Sequence, residues 1–238
     1  MVFRNATILT MKENAMKNKL SKMLFATVMA TSASAALAND AMPKDGFYAG
    51  IEAGWLDGDA KWVYRFGQVP SPKTPNIDGG MGGAILGYQK RFNNKVVLGA
   101  EVSYNFGQIN GRATCPNRSF TCDVDDVDEI FTIGPRLGYM INNNWLVYLH
   151  GGYARAQVGT NAWRLPATKE VTSEHHDGWS AGVGIDYAFT NRFSVGFKYT
   201  HFDLDKKLHK VGQAPMGIDR YITPEFDTYT LRVTYTFQ

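Results

Sequence analysis

The sequence predicts an all-β protein in which eight antiparallel strands close into a barrel that spans a membrane. Eight segments alternate between large apolar residues and small or polar ones, their connections alternate between short and long, and the first 38 residues have the pattern of an export signal. Successive strand residues point to opposite faces of a sheet, so each face needs its own environment. A large apolar face opposite a face of small residues suits a narrow barrel with lipid outside.

The clearest of these segments is the hairpin Gly178–Phe202, with the sequence GWSAGVGIDYAFTNRFSVGFKYTHF. In its first half Trp179 and Val183 share one face, while Ser180 and Gly182 share the other. Glycine and serine are too small to form the exposed surface of a soluble sheet. They suit the interior of a narrow barrel instead, so the hairpin supplies predicted strands six and seven.

Strands one to four show the same alternation, with apolar residues at every second position. In the first strand Phe47, Ile51 and Trp55 alternate with a set that contains Tyr48 and Glu52. We predict the first group to face lipid and the second to face the barrel interior. The four predicted strands are Phe47–Trp55, Ala84–Phe92, Val96–Phe106 and Phe131–Tyr139.

Strand five, near Trp145–Ala156, alternates less clearly. We predict that Val147, Leu149, Gly151 and Tyr153 face outward and that Tyr148, His150 and Gly152 face inward. The last strand, Thr228–Phe237, alternates threonine and Arg232 with aromatic and aliphatic residues. It completes the count of eight.

The connections predict which rim of the barrel faces outward. Residues 93–94, 141–144 and 190–192 are short and contain asparagine, which tolerates tight turns. The stretches 57–79, 107–127, 157–176 and 204–226 are long and polar. Short periplasmic turns and four long extracellular loops are the pattern expected of an outer-membrane barrel, and aromatic residues cluster near both strand ends, as such a barrel also requires.

The amino terminus predicts an export signal in residues 1–38 and a barrel domain in residues 39–238. Lysines precede an apolar stretch of small residues, and Ala36-Leu37-Ala38 offers a cleavage site before Asn39. Met16 is a more typical start for such a signal than Met1. The whole chain has 25 basic and 22 acidic residues, but five of the basic ones lie in the first 38 residues. The nearly neutral remainder argues against nucleic acid as a partner.

Three segments and the carboxyl-terminal pattern carry a family resemblance over almost the whole mature chain. They are GFYAGIEAG at Gly46–Gly54, GYQKRFNNKVVLGAEVSYNF at Gly87–Phe106, the hairpin Gly178–Phe202 and the closing LRVTYTF. The chain resembles the small outer-membrane β-barrel family of Gram-negative bacteria, which is porin-like and includes opacity-type surface antigens. The resemblance implies an outer-membrane location with extracellular loops. It also implies an assembly signal for the barrel assembly machinery in Tyr229, Leu231, Val233, Tyr235 and Phe237.

Charged residues on the predicted inner face form a balanced set. Alternation places three acidic residues, three basic residues and a histidine inside, all near the middle of their strands. An eight-stranded barrel has little interior beyond what side chains fill, so we expect these charges to form a salt-bridged plug. The alternative is a wet lumen without specific ion pairs. The predicted network is Glu52, Glu101, Arg136, Asp186, Lys198, Arg232 and His150.

Two cysteines, Cys115 and Cys122, flank the sequence PNRSFT in the second long loop. An even pair in an exported protein predicts a disulfide, because the export route is oxidising. A metal or catalytic pair is the alternative, which the lack of a nearby histidine disfavours.

Two loop clusters have side chains that could bind metal. The run Asp123–Glu129 is rich in carboxylates but lacks the spacing of a calcium loop, so a solvated acidic rim is favoured. Glu174, His175, His176 and Asp177, with His209 from the next loop, offer imidazoles for a transition metal or haem. Neighbouring histidines on a strand point to opposite faces, which disfavours a two-ligand site. We therefore predict no metal site and no cofactor.

The sequence thus predicts a non-enzymatic outer-membrane barrel with a structural and surface-interaction role and a plugged lumen. Its expected partners are outer-membrane lipid and lipopolysaccharide, the assembly machinery, and a host or surface ligand bound through the loops. The alternatives are a narrow ion-conducting channel, a haem- or metal-binding surface protein, and a lipid-modifying enzyme. The last would need a serine and an acid beside His201, which the sequence alone does not bring together.

Overall fold

The computed structural model describes residues 45–64, 76–92, 95–114, 120–164, 168–210 and 219–237. All of them lie in the second of the two units into which the chain divides, Ala38–Gln238. None of them forms a helix long and apolar enough to span a membrane. The described residues form strands β1 Gly46–Tyr64, β2 Asn76–Phe92, β3 Val96–Thr114, β4 Phe120–Met140, β5 Trp145–Arg164, β6 Thr168–Ala188, β7 Phe193–Leu204, β8 Lys207–His209 and β9 Arg220–Thr236.

Eight long antiparallel strands form a closed barrel, which confirms the predicted fold class. Each strand from β1 to β6 pairs with the next, β7 pairs with β9, and β9 returns to β1 along the ladder from Tyr48↔Thr236 to Tyr64↔Arg220. Closure leaves no open sheet edge in the part that crosses lipid, where an unpaired backbone group would be costly. The three-residue strand β8 pairs with the far end of β9.

Large apolar side chains cover the outer face of one half of the barrel, which we call the membrane belt. Ile51, Leu86 and Leu149 are among its exposed residues, and the weakly patterned β5 has the predicted orientation, with Tyr148 buried. A band of aromatic side chains encircles the barrel on each side of the belt, as the sequence predicts, and we call each band an aromatic ring. One ring contains Phe92, Tyr139, Trp145, Phe189, Phe193 and Phe237, and the other contains Trp55, Tyr104, Phe106, Tyr153, Trp179 and Tyr229.

Short turns close the barrel next to the first aromatic ring, and side-chain oxygens stabilise them by accepting hydrogen bonds from the backbone. The Asn142 side-chain oxygen accepts from the backbone N–H groups of Asn144 and Trp145, at 2.9 and 3.0 Å. Thr190 Oγ1 accepts from the N–H groups of Arg192 and Phe193 in the same way. Asparagine and threonine thus stabilise these predicted turns by mimicking a backbone acceptor.

Beyond the second aromatic ring the strands continue, and we call this part the extension. The connections between strands are therefore shorter than the sequence predicts. β1 runs to Tyr64 and β2 begins at Asn76, while β5 runs to Arg164 and β6 begins at Thr168. The reason is an inversion of polarity. Asp57 and Asp59 are exposed while Leu56 and Ala60 are buried, a pattern that looks loop-like when lipid is expected outside. Residues 65–75, 115–119, 165–167 and 211–218 lie outside the described residues.

The barrel interior has three layers. Near the short turns lies an apolar layer, Val97, Met140, Leu146, Tyr148 and Ala188. Charged side chains fill the middle layer. The extension holds a second, larger apolar core, which includes Leu56, Ile77, Ile109, Ile130, Phe202, Ile222 and Phe226. The sequence did not predict this last layer, because several of its residues, such as Ile77, Ile109, Ile222 and Phe226, fall in ranges assigned to loops.

Candidate functional site in the barrel interior

Six charged side chains from six strands meet in the middle layer. Glu52 lies on β1, Glu101 on β3, Arg136 on β4, Asp186 on β6, Lys198 on β7 and Arg232 on β9. Strand alternation turns each of them inward. Glycines stand beside them and leave room for long side chains. A Cβ at Gly196 would overlap the Asp186 carboxylate, and one at Gly87 would overlap the Tyr48 ring.

Glu101 is the centre of the network. Arg232 binds it with two hydrogen bonds, from Nη1 to Oε1 at 3.1 Å and from Nη2 to Oε2 at 2.7 Å. Its carboxylate also lies 3.5 Å from Lys198 Nζ and 3.7 Å from Arg136 Nη1. A paired arginine and carboxylate form strong, directional hydrogen bonds, so this contact fixes the positions of both side chains.

The two other carboxylates complete the set. Asp186 accepts a hydrogen bond from Arg136 Nη2 and lies 3.8 Å from Arg232 Nε. Glu52 forms an ion pair with Lys198 at 2.7 Å. Three negative and three positive charges therefore balance, and each charge has an oppositely charged partner. Balance matters here because an isolated ion in a water-poor interior is very unfavourable.

Three uncharged side chains support the network. Tyr48 donates a hydrogen bond to Glu101 at 2.7 Å, Asn105 donates one to Glu52 at 2.8 Å, and Tyr148 accepts one from Arg232 at 3.1 Å. The Arg136 guanidinium also lies 3.6 Å from the centre of the Tyr148 ring, a favourable cation–π geometry. Sequence reasoning missed their role, although Tyr48 and Tyr148 carried a signal as large aromatic residues on an otherwise small inner face.

His150 lies beside the network rather than within its ion pairs. Its Nε2 atom is 3.3 Å from the carbonyl oxygen of Tyr199 and 3.4 Å from Thr200 Oγ1. These partners are neutral. The prediction that His150 belongs to the charge network therefore needs correction, because its position on β5 brings it next to Tyr199 and Thr200 of β7.

The space next to the network is small. A cavity of about 20 Å³ is lined by polar groups that include Glu52, Ser103, His150 and Lys198. A single water needs roughly 10–15 Å³ measured in this way. This cavity therefore has room for about one water molecule.

The histidine cluster is split between two faces of β6. His175 is exposed and His176 is buried, as alternation predicts, but they lie on a strand and not in a loop. His176 Nε2 lies 2.9 Å from Nε2 of His209. Within the described ranges, no group of three or more His, Cys, Asp or Glu side chains could hold a metal ion.

The other predicted clusters are only partly described. In the acidic run, Asp128 is exposed, whereas the side chains of Asp123 to Asp126 lie outside the described residues. Cys115 also lies outside them, and Cys122 is described only by its backbone, opposite Ala113 and Ala162. The disulfide stays a prediction.

His201 lies outward, just beyond the second aromatic ring. Its Nδ1 atom is 2.8 Å from Asp227 Oδ1, and the same carboxylate oxygen accepts a hydrogen bond from Tyr199. The structure thus supplies the acid that the sequence did not. Among the described residues, the hydrogen bonds and ring contacts of this pair involve Tyr199 and Trp179 but no serine.

The predicted assembly signal lies on β9, the strand that closes the barrel, and on Phe237, which directly follows it. Tyr229, Leu231, Val233 and Phe237 are exposed on its outer face, and Tyr235 is partly exposed. Recognition by the assembly machinery stays a prediction.

Comparison with known proteins gives one family match and related sequences. The model of the outer membrane protein beta-barrel domain matches residues 23–237. The chain is 27% identical over 218 residues to the 31 kDa outer-membrane immunogenic protein of Brucella melitensis biotype 1, covering 79% of this chain and 89% of the relative. The Brucella suis protein of the same name matches equally.

Solved structures agree with the fold. The outer membrane protein OprG from Pseudomonas aeruginosa superposes with a TM-score of 0.54 at 12% sequence identity, covering 84% of this chain and all of that one. At this identity the similarity concerns architecture alone.

Proposed function

Because this chain belongs to the outer membrane protein beta-barrel domain family, we propose that it is a structural, surface-exposed envelope protein whose lumen is closed by the charge network. The protein resides in the outer membrane of a Gram-negative bacterium. One observation carries the proposal: the six interior charges neutralise one another between two apolar layers, and the cavity beside them holds about one water. A solute would have to break ion pairs and displace packed side chains to pass.

The proposal assigns the contacts of the protein to its outer surfaces. The membrane belt contacts outer-membrane lipid, the extension and loops contact lipopolysaccharide and a host or surface ligand, and β9 is read by the assembly machinery. Surface exposure is supported by the related Brucella protein, whose name describes it as immunogenic. The proposed role is non-enzymatic, and in the part of the chain that the structure describes the His201–Asp227 pair is hydrogen-bonded to Tyr199 but to no serine.

Conductance in planar lipid bilayers tests the closed lumen. We expect the purified, refolded protein to give no stable nanosiemens steps in concentrated potassium chloride, and refolding is checked by the heat-dependent gel mobility of folded barrels. Two matched variants identify the source of any current. Glu52→Gln changes a charge inside the barrel, and Asp57→Asn changes one on the outer face of the same strand.

Stable steps whose ion selectivity changes in Glu52→Gln but not in Asp57→Asn would contradict the closed lumen and favour the ion channel. The surface role is tested separately in a deletion strain. We expect uptake of small hydrophilic solutes to be unchanged and binding to surfaces or host cells to fall. Loss of uptake that the wild-type protein restores would contradict the proposal.

A further inference from the structure

The wall of the extension contains a seam between β6 and β8. The β6–β7 ladder ends at Gly178↔Leu204, and one further hydrogen bond joins the Asp205 N–H to the Asp177 carbonyl at 2.7 Å. β8 then pairs with β9 on its other side. In the part of the chain that the structure describes, no backbone ladder joins β8 to β6. Side chains must hold this seam.

A pair of histidines fills the inner side of the seam. His176 on β6 and His209 on β8 are both 0% exposed. Their Nε2 atoms lie 2.9 Å apart, and the rings stack with an interplanar angle of 27°. On the outer side, Lys207 Nζ lies 2.5 Å from Asp177 Oδ2. Because both side chains are fully buried, each imidazole nitrogen must find its hydrogen-bond partner within the protein.

The partners fix the positions of the protons on both rings when both are neutral. His176 Nδ1 lies 2.9 Å from the Asp205 carbonyl oxygen, which can only accept, so this nitrogen carries a proton. His176 Nε2 is then the acceptor for a proton on His209 Nε2. His209 Nδ1, in turn, accepts from the Thr172 hydroxyl at 3.3 Å. Both rings can therefore be neutral while the hydrogen bonds Thr172–His209, His209–His176 and His176–Asp205 all form.

Added protons change this series of hydrogen bonds in two steps. With one extra proton, His176 can donate through both nitrogens while His209 accepts, so the contact survives. With two, both Nε2 atoms carry hydrogen and face each other at hydrogen-bond distance, and no acceptor remains between them. Two buried positive charges would also repel.

Charged residues of both signs surround the pair in sequence and register. Lys207 lies on β8 and Arg220 is opposite His209 on β9, while Glu174 and Asp177 lie on β6 and Asp205 precedes β8. Burial, together with nearby Lys207, lowers the pKa of His176 below its ordinary value. The hydrogen bonds from Lys207 and Tyr153 lower the pKa of Asp177, so this carboxylate stays ionised under mildly acidic conditions.

We propose that His176 and His209 form a pH-sensitive latch, which holds β8 against β6 near neutral pH and releases it when both imidazoles are protonated. The closed latch binds fewer protons than the open one. Its stability is therefore complete above the ordinary histidine pKa of about 6.5 and falls as the pH drops below that value. The function of the latch is to make the outer wall of the extension respond to acidification.

Hydrogen–deuterium exchange of the folded protein in lipid nanodiscs tests the latch. We compare about pH 7.5 with about pH 5, correcting for the intrinsic effect of pH on exchange. In the wild-type protein we expect the amides of residues 205–210 to exchange about tenfold faster, or more, at the lower pH. The belt portion of β6 is the internal reference and should not change.

Matched variants separate the latch from general acid effects. His175→Gln removes the exposed neighbour and should retain the full pH response, whereas His209→Gln and His176→Gln should each abolish it. Either latch variant suffices if the other fails to fold. Equal wild-type protection at both pH values would overturn the proposal, as would a full response in both latch variants or its loss in His175→Gln. None of these outcomes bears on conductance, so the closed lumen is tested independently.

Discussion

The membrane belt and the extension use the same ladders with opposite polarity. On β9, Leu231 and Val233 face outward in the belt while Arg232 is buried inside. A few residues earlier on the same strand, Glu225 and Asp227 lie on the outer face, and Phe226 is buried. The hydrogen-bonded register runs through both parts without interruption.

This difference shows that the backbone ladder does not determine which face is apolar. Lipid surrounds the belt, so apolar residues face outward and charges are neutralised inside. Water surrounds the extension, so its interior is an ordinary apolar core and its outer face is charged. The switch occurs within about two residues, between Asp227 and Tyr229 on β9, at the second aromatic ring.

The largest expected effect comes from removing one interior partner in the belt. Arg232→Met leaves Glu101 and Asp186 with one positive charge too few, and breaking such a buried pair destabilises a protein by about 3–5 kcal/mol. Urea unfolding in phospholipid vesicles measures the loss. The double variant Arg232→Met/Glu101→Gln restores neutrality, so we expect it to be more stable than the single variant.

A substitution in the core of the extension should destabilise the protein by a similar amount for a different reason. Phe226→Ala removes a ring that stacks on Phe202 with centroids 4.7 Å apart, and it should cost about 3–5 kcal/mol by leaving a cavity. Changing Glu101 should not rescue it, because the two sites share no contact among those described. Equal rescue of both variants by Glu101→Gln would contradict the distinction between the two interiors.

Alternation predicted the belt from the sequence alone. Each outward set, such as Phe47, Ile51 and Trp55 on β1, lies where the pattern placed it. The same pattern turned the interior charges inward, but it could not predict their partners. The contact of Arg136 with Asp186 and the stacking on Tyr148 depend on how side chains cross a lumen, which residue spacing within one strand does not encode.

The extension was missed for a different reason. Asp57, Asp59 and Lys61 alternate with small or apolar residues, and this resembles a polar loop when every strand is expected to face lipid. Irregularity adds to the difficulty, since β4 carries register shifts at Val124/Asp126 and at Val127/Glu129. The contact between His176 and His209 joins residues that are 33 positions apart on strands that are not adjacent in sequence. No local pattern predicts it.

An intermediate effect is expected from a charge on the outer face, and it depends on which half of a strand receives it. Ile51→Arg puts a cation in the belt on a residue that is 68% exposed to lipid, which should cost about 2–4 kcal/mol. Asp59→Arg places the same side chain outward on β1 in the extension and should change stability by less than about 0.5 kcal/mol. Both are measured by urea unfolding in vesicles. Similar losses in the two variants would mean that the extension is also embedded in lipid.

The smallest effect is expected where an ion pair crosses the closing ladder in water. Lys61 on β1 and Glu225 on β9 approach to 2.5 Å, and this contact lowers the pKa of the glutamate. Any stability that follows is present at neutral pH and is lost as the pH falls and Glu225 becomes protonated. Both side chains are exposed, however, so water and salt screen the attraction. We expect Lys61→Ala to leave the urea midpoint unchanged at neutral pH. A loss that appears at low salt and disappears at high salt would instead show that barrel closure in the extension depends on this ion pair, which would make its outer face as important to stability as the lipid-facing residues are in the belt.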